Sequence, residues 1–292
     1  MPKAGIVTVV GKPNVGKSTL LNRIVGQKLS ITSPKPQSTR DRVVGIHTAD
    51  SAQMVILDTP GLLNPRYPLQ QAMRSAALAA LRDADVVVYL ADATEGTPPP
   101  LAEAAQLEHP LRAAVILALN KADSLSSARR AELMTHQGAV LVSALTGDGI
   151  ADLMTRVALA LPESPFLYPD DEISTQPVRF FVAELVRESV LEQLHDEVPY
   201  SVAVQVEEFR EDRSPLYIRA VIYVERDSQK AIVIGNKGAQ IRKVGESARK
   251  KIELFVGEKV YLDLWVKVLA NWRKNPQNLS MFGYQLATGN AK

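Results

Sequence analysis

The stretch Gly11-Lys12-Pro13-Asn14-Val15-Gly16-Lys17-Ser18 spaces two glycines, a lysine and a hydroxyl as G-x-x-x-x-G-K-[ST]. Glycines at these places let backbone N–H groups close around a phosphate, and a helix opening at the lysine adds the positive end of its dipole. In that arrangement Lys17 would bridge the β- and γ-phosphates of a nucleoside triphosphate. The Ser18 hydroxyl would ligate Mg²⁺, with Thr19 lining the site one residue on. Asp58-Thr59-Pro60-Gly61 offers a carboxylate that could hold Mg²⁺ through water and an N–H at Gly61 that could meet the γ-phosphate. Taken alone, those four residues read as a common turn.

Two further segments bear on the base. In Asn120-Lys121-Ala122-Asp123, the Asp123 carboxylate can accept from both the N1–H and the 2-amino group of guanine. Adenine offers neither, so a buried Asp123 would be left unpaired and ATP rejected by about several kcal/mol. In Ser143-Ala144-Leu145 a backbone N–H can donate to guanine O6. Together and in this order, the segments imply guanine specificity.

These residues need a scaffold. Apolar, β-rich runs at Ile6–Val10, Val43–His47, Met54–Leu57, Val86–Leu90, Ala114–Leu119 and Ala139–Val142 read as strands. Helical patterns fall near Lys17–Val25, Leu69–Leu81, Leu101–Leu107, Ser126–Thr135 and Ile150–Leu161. The alternation predicts a mostly parallel sheet covered on both faces, with each motif at a strand's C-terminal end, where such sheets bind ligands. Ser30–Asp41 has two prolines and no apolar period, so it reads as a long functional loop.

Pro162, Pro165, Pro169 and Pro177 then punctuate the chain, with acidic Asp170–Glu172 between them. They predict a first domain over 1–165, a linker over 166–178 and a second domain over 179–292. In the second, Phe180–Leu194 has a helical pattern, Val202–Val206 and Leu216–Val224 alternate as strands, Ile241–Phe255 is helical and Val260–Val268 alternates again. Gly235-Asn236-Lys237-Gly238 sits between two predicted helices and matches the G-x-x-G loop that clamps a single-stranded nucleic-acid backbone. The order α-β-β-α-α-β is that of a type II KH domain.

Charge supports this placement. Residues 226–251 carry 8 Lys/Arg against 2 Asp/Glu, while 169–225 carry 5 against 13. A compact basic block suggests a polyanion surface, and a solvated basic helix is its plainer reading. Arg242, Lys243, Arg249 and Lys250 are the candidates to line it with the loop. Tyr261, Trp265 and Trp272 read either as base-stacking groups or as packing. The chain has no cysteine, which excludes a disulfide framework and a thiol nucleophile. Its histidines (His47, His109, His136, His195) are scattered and form no catalytic constellation. No apolar run reaches the ~20 residues that span a bilayer.

The motifs, their order and the second domain resemble the bacterial Era family, within the translation-factor-related branch of P-loop GTPases. The resemblance implies a mixed six-stranded α/β GTPase domain followed by a KH domain, with GTP/GDP and Mg²⁺ as ligands and slow hydrolysis. It makes Thr39, in Gln37-Ser38-Thr39-Arg40-Asp41, the switch threonine that reaches Mg²⁺, with Ser38 its rival. The residues touching the reaction would be Lys17, Thr39, Gly61 and Asn14. Leu62 and Leu63 stand where related enzymes carry a water-positioning glutamine. Asn14 has two readings, a K⁺ ligand or a loop-stabilising residue. The resemblance further implies a monomer that binds near the 3′ end of small-subunit ribosomal RNA and acts in assembling that subunit. It also implies a cytoplasmic place with peripheral contact at the inner face of the membrane. A regulator whose second domain binds protein is the competing reading.

Overall fold

The computed structural model describes residues 1–49, 51–134 and 138–286. The predicted helix end at Thr135, His136 and the last six residues of the second domain lie outside these. The chain packs as two compact units, one of residues 1–32, 39–65 and 73–175, the other of 33–38, 66–72 and 176–292.

In the first unit, β1 (Lys3–Val10), α1 (Lys17–Val25), β2 (Val43–Ala49), β3 (Ala52–Asp58), β4 (Val86–Asp92), β5 (Ala114–Asn120) and β6 (Ala139–Leu141) form the site's frame. α2 (Pro68–Asp83), which belongs to this unit from Met73 on, α3 (Leu101–Ala105), α4 (Ser127–Met134) and α5 (Ile150–Ala160) complete the covering layers. The strand order is β2-β3-β1-β4-β5-β6. β2 alone runs antiparallel to its neighbour, and the rest pair in parallel. Every residue of β4 is buried, as a strand covered on both faces requires. The order of strands reverses at β1, with β2 and β3 to one side and β4 to β6 to the other, and the crevice at its C-terminal end is where the phosphate loop emerges. α3 is shorter than the pattern predicts, because Gln106 turns left-handed and ends it.

Residues 167–174 run along this unit. Gln53 Oε1 accepts from the N–H groups of Leu167 (2.7 Å) and Tyr168 (3.0 Å), and the Ile46 N–H donates to Ile173 O at 2.8 Å.

The second unit contains α6 (Val178–Gln193), β7 (Ala203–Arg210), β8 (Leu216–Val224), α7 (Asp227–Ile234), α8 (Ala239–Val256), β9 (Val260–Val268) and α9 (Pro276–Met281). Its sheet runs β7-β8-β9, antiparallel then parallel. Val186, Val190, Ile218, Ile222, Val244, Ala248 and Ile252 fill the core beneath α6 and α8. β7 extends past the alternating run read from sequence because a bulge between Val206 and Glu208 absorbs the break in period. α9 has no apolar period to announce it. Its signal is Asn275-Pro276, where Asn275 Oδ1 accepts from the N–H of Gln277 at 2.9 Å.

Candidate functional site

The loop after β1 is built from backbone constraints. A Cβ on Gly11 would lie 2.1 Å from Leu90 O, and one on Gly16 would lie 2.3 Å from Asn120 Nδ2. Gly16, at φ +98°, caps α1, so the helix starts at Lys17 with its first N–H groups facing the loop. Asn14 holds φ +63° within the same turn. The buried Lys17 ammonium donates to Lys12 O at 2.8 Å and Gly11 O at 3.2 Å. Burial pulls its pKa down to about 8, and Asp58 opposes that shift. An ammonium folded back on its own loop this way has donors to give a phosphate.

Three oxygens converge beside it. Ser18 Oγ lies 2.7 Å from Asp58 Oδ2 and 2.9 Å from Thr39 Oγ1, and Thr39 Oγ1 lies 3.4 Å from Asp58 Oδ2. Asp58 is fully buried and Thr39 is buried. Burial raises the Asp58 pKa, with Lys17, Ser18 and Thr39 pulling the other way. Asp58 Oδ1 is buried and takes no hydrogen bond among the described residues. A hard oxygen set with one orphaned carboxylate oxygen fits Mg²⁺, which asks the protein for one or two such ligands. Gly61 packs on the loop, since a Cβ there would meet Pro13 N at 2.7 Å, and the next amide, of Leu62, donates to Gly11 O at 3.0 Å. Leu62 itself turns inward with Val10, Leu81, Tyr89 and Leu101.

Asn120, buried at the end of β5, ties the phosphate loop to the base-side loops. Its Nδ2 donates to Val15 O at 2.7 Å and its Oδ1 accepts from Ala144 N at 2.8 Å. The Lys121 ammonium pairs with Asp92 Oδ2 at 2.6 Å. Asp92, at the end of β4, lies outside every motif read from the sequence and anchors Lys121 beside the base-side loops. Burial alone would raise its pKa, and hydrogen bonds from Lys121 and Thr94 bring it below the usual value. Lys12 reaches outward to Glu95 at 3.2 Å.

The sequence reading treats Asp123 as buried, and here it is exposed. Its Oδ1 accepts from Ser143 Oγ at 2.5 Å, and that bond chiefly holds its pKa down. Ser143 and Ala144 are buried while Leu145 is exposed. The carboxylate is thus oriented at an open mouth, where an arriving base would itself complete the burial that discrimination needs.

In the second unit α7 ends at Gly235, whose Cβ would meet Gln240 N at 2.9 Å, and Gly238 (φ +78°) caps α8. Asn236 and Lys237 are exposed on the turn, with Lys237 left-handed at φ +47°. α8 divides the four basic candidates. Lys243 and Lys250 line a hollow with Gln193, Glu246, Ser247 and Lys251. Arg242 and Arg249, roughly 100° around the helix from them, flank the side where Gly245 meets Leu264. The loop therefore has two arginines on one side and two lysines on another. Trp272 is fully buried and donates through Nε1 to Ser201 O at 2.7 Å, which makes it packing. Tyr261 and Trp265 are exposed.

Phosphate loop, base loops and helix-turn-helix define a P-loop GTPase carrying a KH domain, and comparison with known proteins narrows this. A family model described as "50S ribosome-binding GTPase" matches residues 6–121, and one described as "KH domain" matches 197–273. GTPase Era of Geobacter sp. (strain M21) is 43% identical over 294 residues, covering 97% of this chain and 98% of the relative. GTPase Era of Thermosipho melanesiensis is 44% identical over 280 residues, covering 93% and 94%. A crystal structure of Aquifex aeolicus Era bound to GDP·AlF4⁻ superposes with a TM-score of 0.91 at 39% identity, covering 97% of this chain and all of that one. Era in complex with MgGDPNP and nucleotides 1506–1542 of 16S ribosomal RNA also gives 0.91, at 40% identity, covering 98% of this chain and all of its own. The chain belongs to the Era family and is a GTPase.

Proposed function

We propose that this GTPase binds single-stranded RNA near the 3′ end of small-subunit ribosomal RNA through its KH domain, and acts as a GTP-dependent switch in assembling that subunit. The observation that carries the reading is the pairing of two sites in one chain: an ammonium and three convergent oxygens at Lys17, Ser18, Thr39 and Asp58, and an exposed Asn236-Lys237 turn capping an 18-residue helix. The family supports it, since an Era relative was crystallised with MgGDPNP and a 16S RNA segment.

In this reading the loop amides and Lys17 take the β- and γ-phosphates. Ser18 and Thr39 would hold Mg²⁺ directly and Asp58 through water, and the ion supplies a fixed positive charge on the phosphate oxygens. Gly61, packed against Pro13, would give its N–H to the γ-phosphate. Asp123, set by Ser143, reads the guanine edge. Leu62 cannot position an attacking water from the core, so unassisted hydrolysis is slow. Asn14 on the loop would bring K⁺ as a further cation. On the RNA side, Gly235 to Gly238 would clamp phosphates, with Arg242 and Arg249 along one side of the groove and Lys243 and Lys250 further around. The working domain limits are 1–165 and 179–292.

The protein would act as a monomer at the ribosome in the cytoplasm, with peripheral contact at the inner membrane face. Among the described residues no helix is long and apolar enough to cross a membrane. Crosslinking the GTP-loaded protein to cellular RNA and sequencing what is retained tests the reading. Enrichment of the small-subunit 3′ end supports it, and recovery of protein partners with no RNA enrichment favours a protein-binding second domain.

A further inference from the structure

Two arginines outside every motif grip the two loops that face the base. Arg23, in the last turn of α1, donates through Nε to Ala144 O at 3.2 Å and through a terminal nitrogen to Leu145 O. Arg130, on α4, donates through Nε to Ala122 O at 2.9 Å and through a terminal nitrogen to Asp148 Oδ2 at 3.3 Å. We infer that both are positioning residues for guanine recognition: Arg23 aims the amide that meets O6, and Arg130 holds the turn that carries Asp123. This rests on the reading that these loops take a guanine nucleotide.

Peptide geometry carries the argument. In a trans peptide the C=O and the following N–H point in opposite directions within one rigid plane. The Ala144 N–H is already given to Asn120 Oδ1 at 2.8 Å, and the Thr146 N–H to Ser143 Oγ at 3.1 Å. The amide left to meet O6 is that of Leu145, on a residue 67% exposed. By holding Ala144 O, Arg23 fixes that peptide plane and points the Leu145 N–H the other way. Its second bond fixes the next plane too, with both donors held in one rigid guanidinium fork. Arg130 does the same for the Ala122–Asp123 peptide. Its tie to Asp148 links that turn to the 143–148 loop, where the Ser143 N–H donates to Asp148 O at 2.8 Å. The positive charge of Arg130 also favours the ionised Asp123 carboxylate.

The test uses two analogues that each remove one contact. The 6-thio analogue of GTP keeps N1–H and the 2-amino group but presents a weak sulfur acceptor in place of O6. Inosine triphosphate keeps O6 and N1–H but lacks the 2-amino group. Dissociation constants for GTP and both analogues are measured on the full chain and on Arg23→Ala, Arg23→Gln and Arg130→Ala, with thermal melts as folding controls.

Arg23→Ala is expected to weaken GTP about three- to tenfold, the scale of removing charge-assisted hydrogen bonds at an exposed site. It should narrow the preference for GTP over the 6-thio analogue and leave the preference over inosine triphosphate unchanged. Arg23→Gln, with one donor group, should fall between. Arg130→Ala should do the reverse, narrowing the inosine ratio and sparing the sulfur one. If each variant weakens all three nucleotides by one factor, the arginines only stabilise the fold and the inference is overturned. A wild-type protein that binds all three equally would instead overturn the guanine reading beneath it.

Discussion

Replacing Asn120 by alanine separates a structural link from a direct ligand contact. Its amide is 3% exposed and makes two bonds, to Val15 O at 2.7 Å and from Ala144 N at 2.8 Å. Asn120→Ala strands a buried carbonyl and a buried amide, each at about 1–3 kcal/mol. Water entering from the open crevice relieves part of this, so the lower half of the sum applies, about 2–4 kcal/mol. Both bonds exist before nucleotide arrives, so this loss falls on folding. At roughly 2–4 °C per kcal/mol for a domain of this size, the first unit's melting transition should drop by about 5–15 °C. Binding suffers separately, because nucleotide must then order two loops that Asn120 had already joined. GTP and GDP should weaken together, by about tenfold or more, since the two joined loops meet the base and the phosphates that both nucleotides share rather than the γ-phosphate alone. The assay is a melt of each variant paired with fluorescence titration of both nucleotides. A variant that melts within 2 °C of wild type and binds within about twofold would refute the reasoning. So would a loss confined to GTP.

Three other outcomes follow. With its pKa near 8 in the free protein, Lys17 loses its proton as pH rises through 8, while bound phosphate holds it charged. GTP affinity should therefore fall about fourfold from pH 7 to 8.5, below guanine's own N1 titration, and Lys17→Arg should flatten that slope while binding less well. Asp123→Asn should weaken GTP and favour xanthosine triphosphate, whose 2-oxygen accepts where the guanine amino group donates; unchanged preference in a nucleotide competition would refute the role. Replacing Na⁺ by K⁺ at constant ionic strength should speed hydrolysis, and Asn14→Ala should remove the difference. Equal rates in both salts would make Asn14 a loop residue only.

Much of this molecule is legible before any coordinates because its motifs are demands on the backbone. Gly11 and Gly16 are fixed by contacts near 2 Å that no side chain survives, and such constraints show in sequence as glycines. The six strands show because β3 and β4, buried on both faces, leave continuous apolar runs. What stays hidden depends on partners distant in sequence. Nothing local marks Asp92 as the mate of Lys121, or Arg23 as the grip on Ala144. The exposure of Asp123 is equally unreadable, since it depends on how wide the crevice stands. Arg242, Lys243, Arg249 and Lys250 read as one basic patch in a linear count, whereas a turn of 3.6 residues sends them to two sides of α8. Trp272, open to two readings in sequence, is settled by a single bond to Ser201 O.

The central claim, that one chain carries a GTP switch and a single-stranded RNA clamp, is tested most directly by reversing charge on the turn between α7 and α8. Asn236 and Lys237 are exposed and lie outside the core, so Asn236→Asp with Lys237→Asp should change stability by less than about 1 kcal/mol. The measurement is a salt titration of binding to an RNA matching the small-subunit 3′ end, with GTP binding followed in the same samples. The account predicts that RNA affinity collapses while GTP affinity stays within twofold, and that Arg249→Ala with Lys250→Ala acts more gently, flattening the salt slope by about 0.7 for each phosphate no longer neutralised. A folded double-aspartate variant that binds the RNA as tightly as wild type would contradict it.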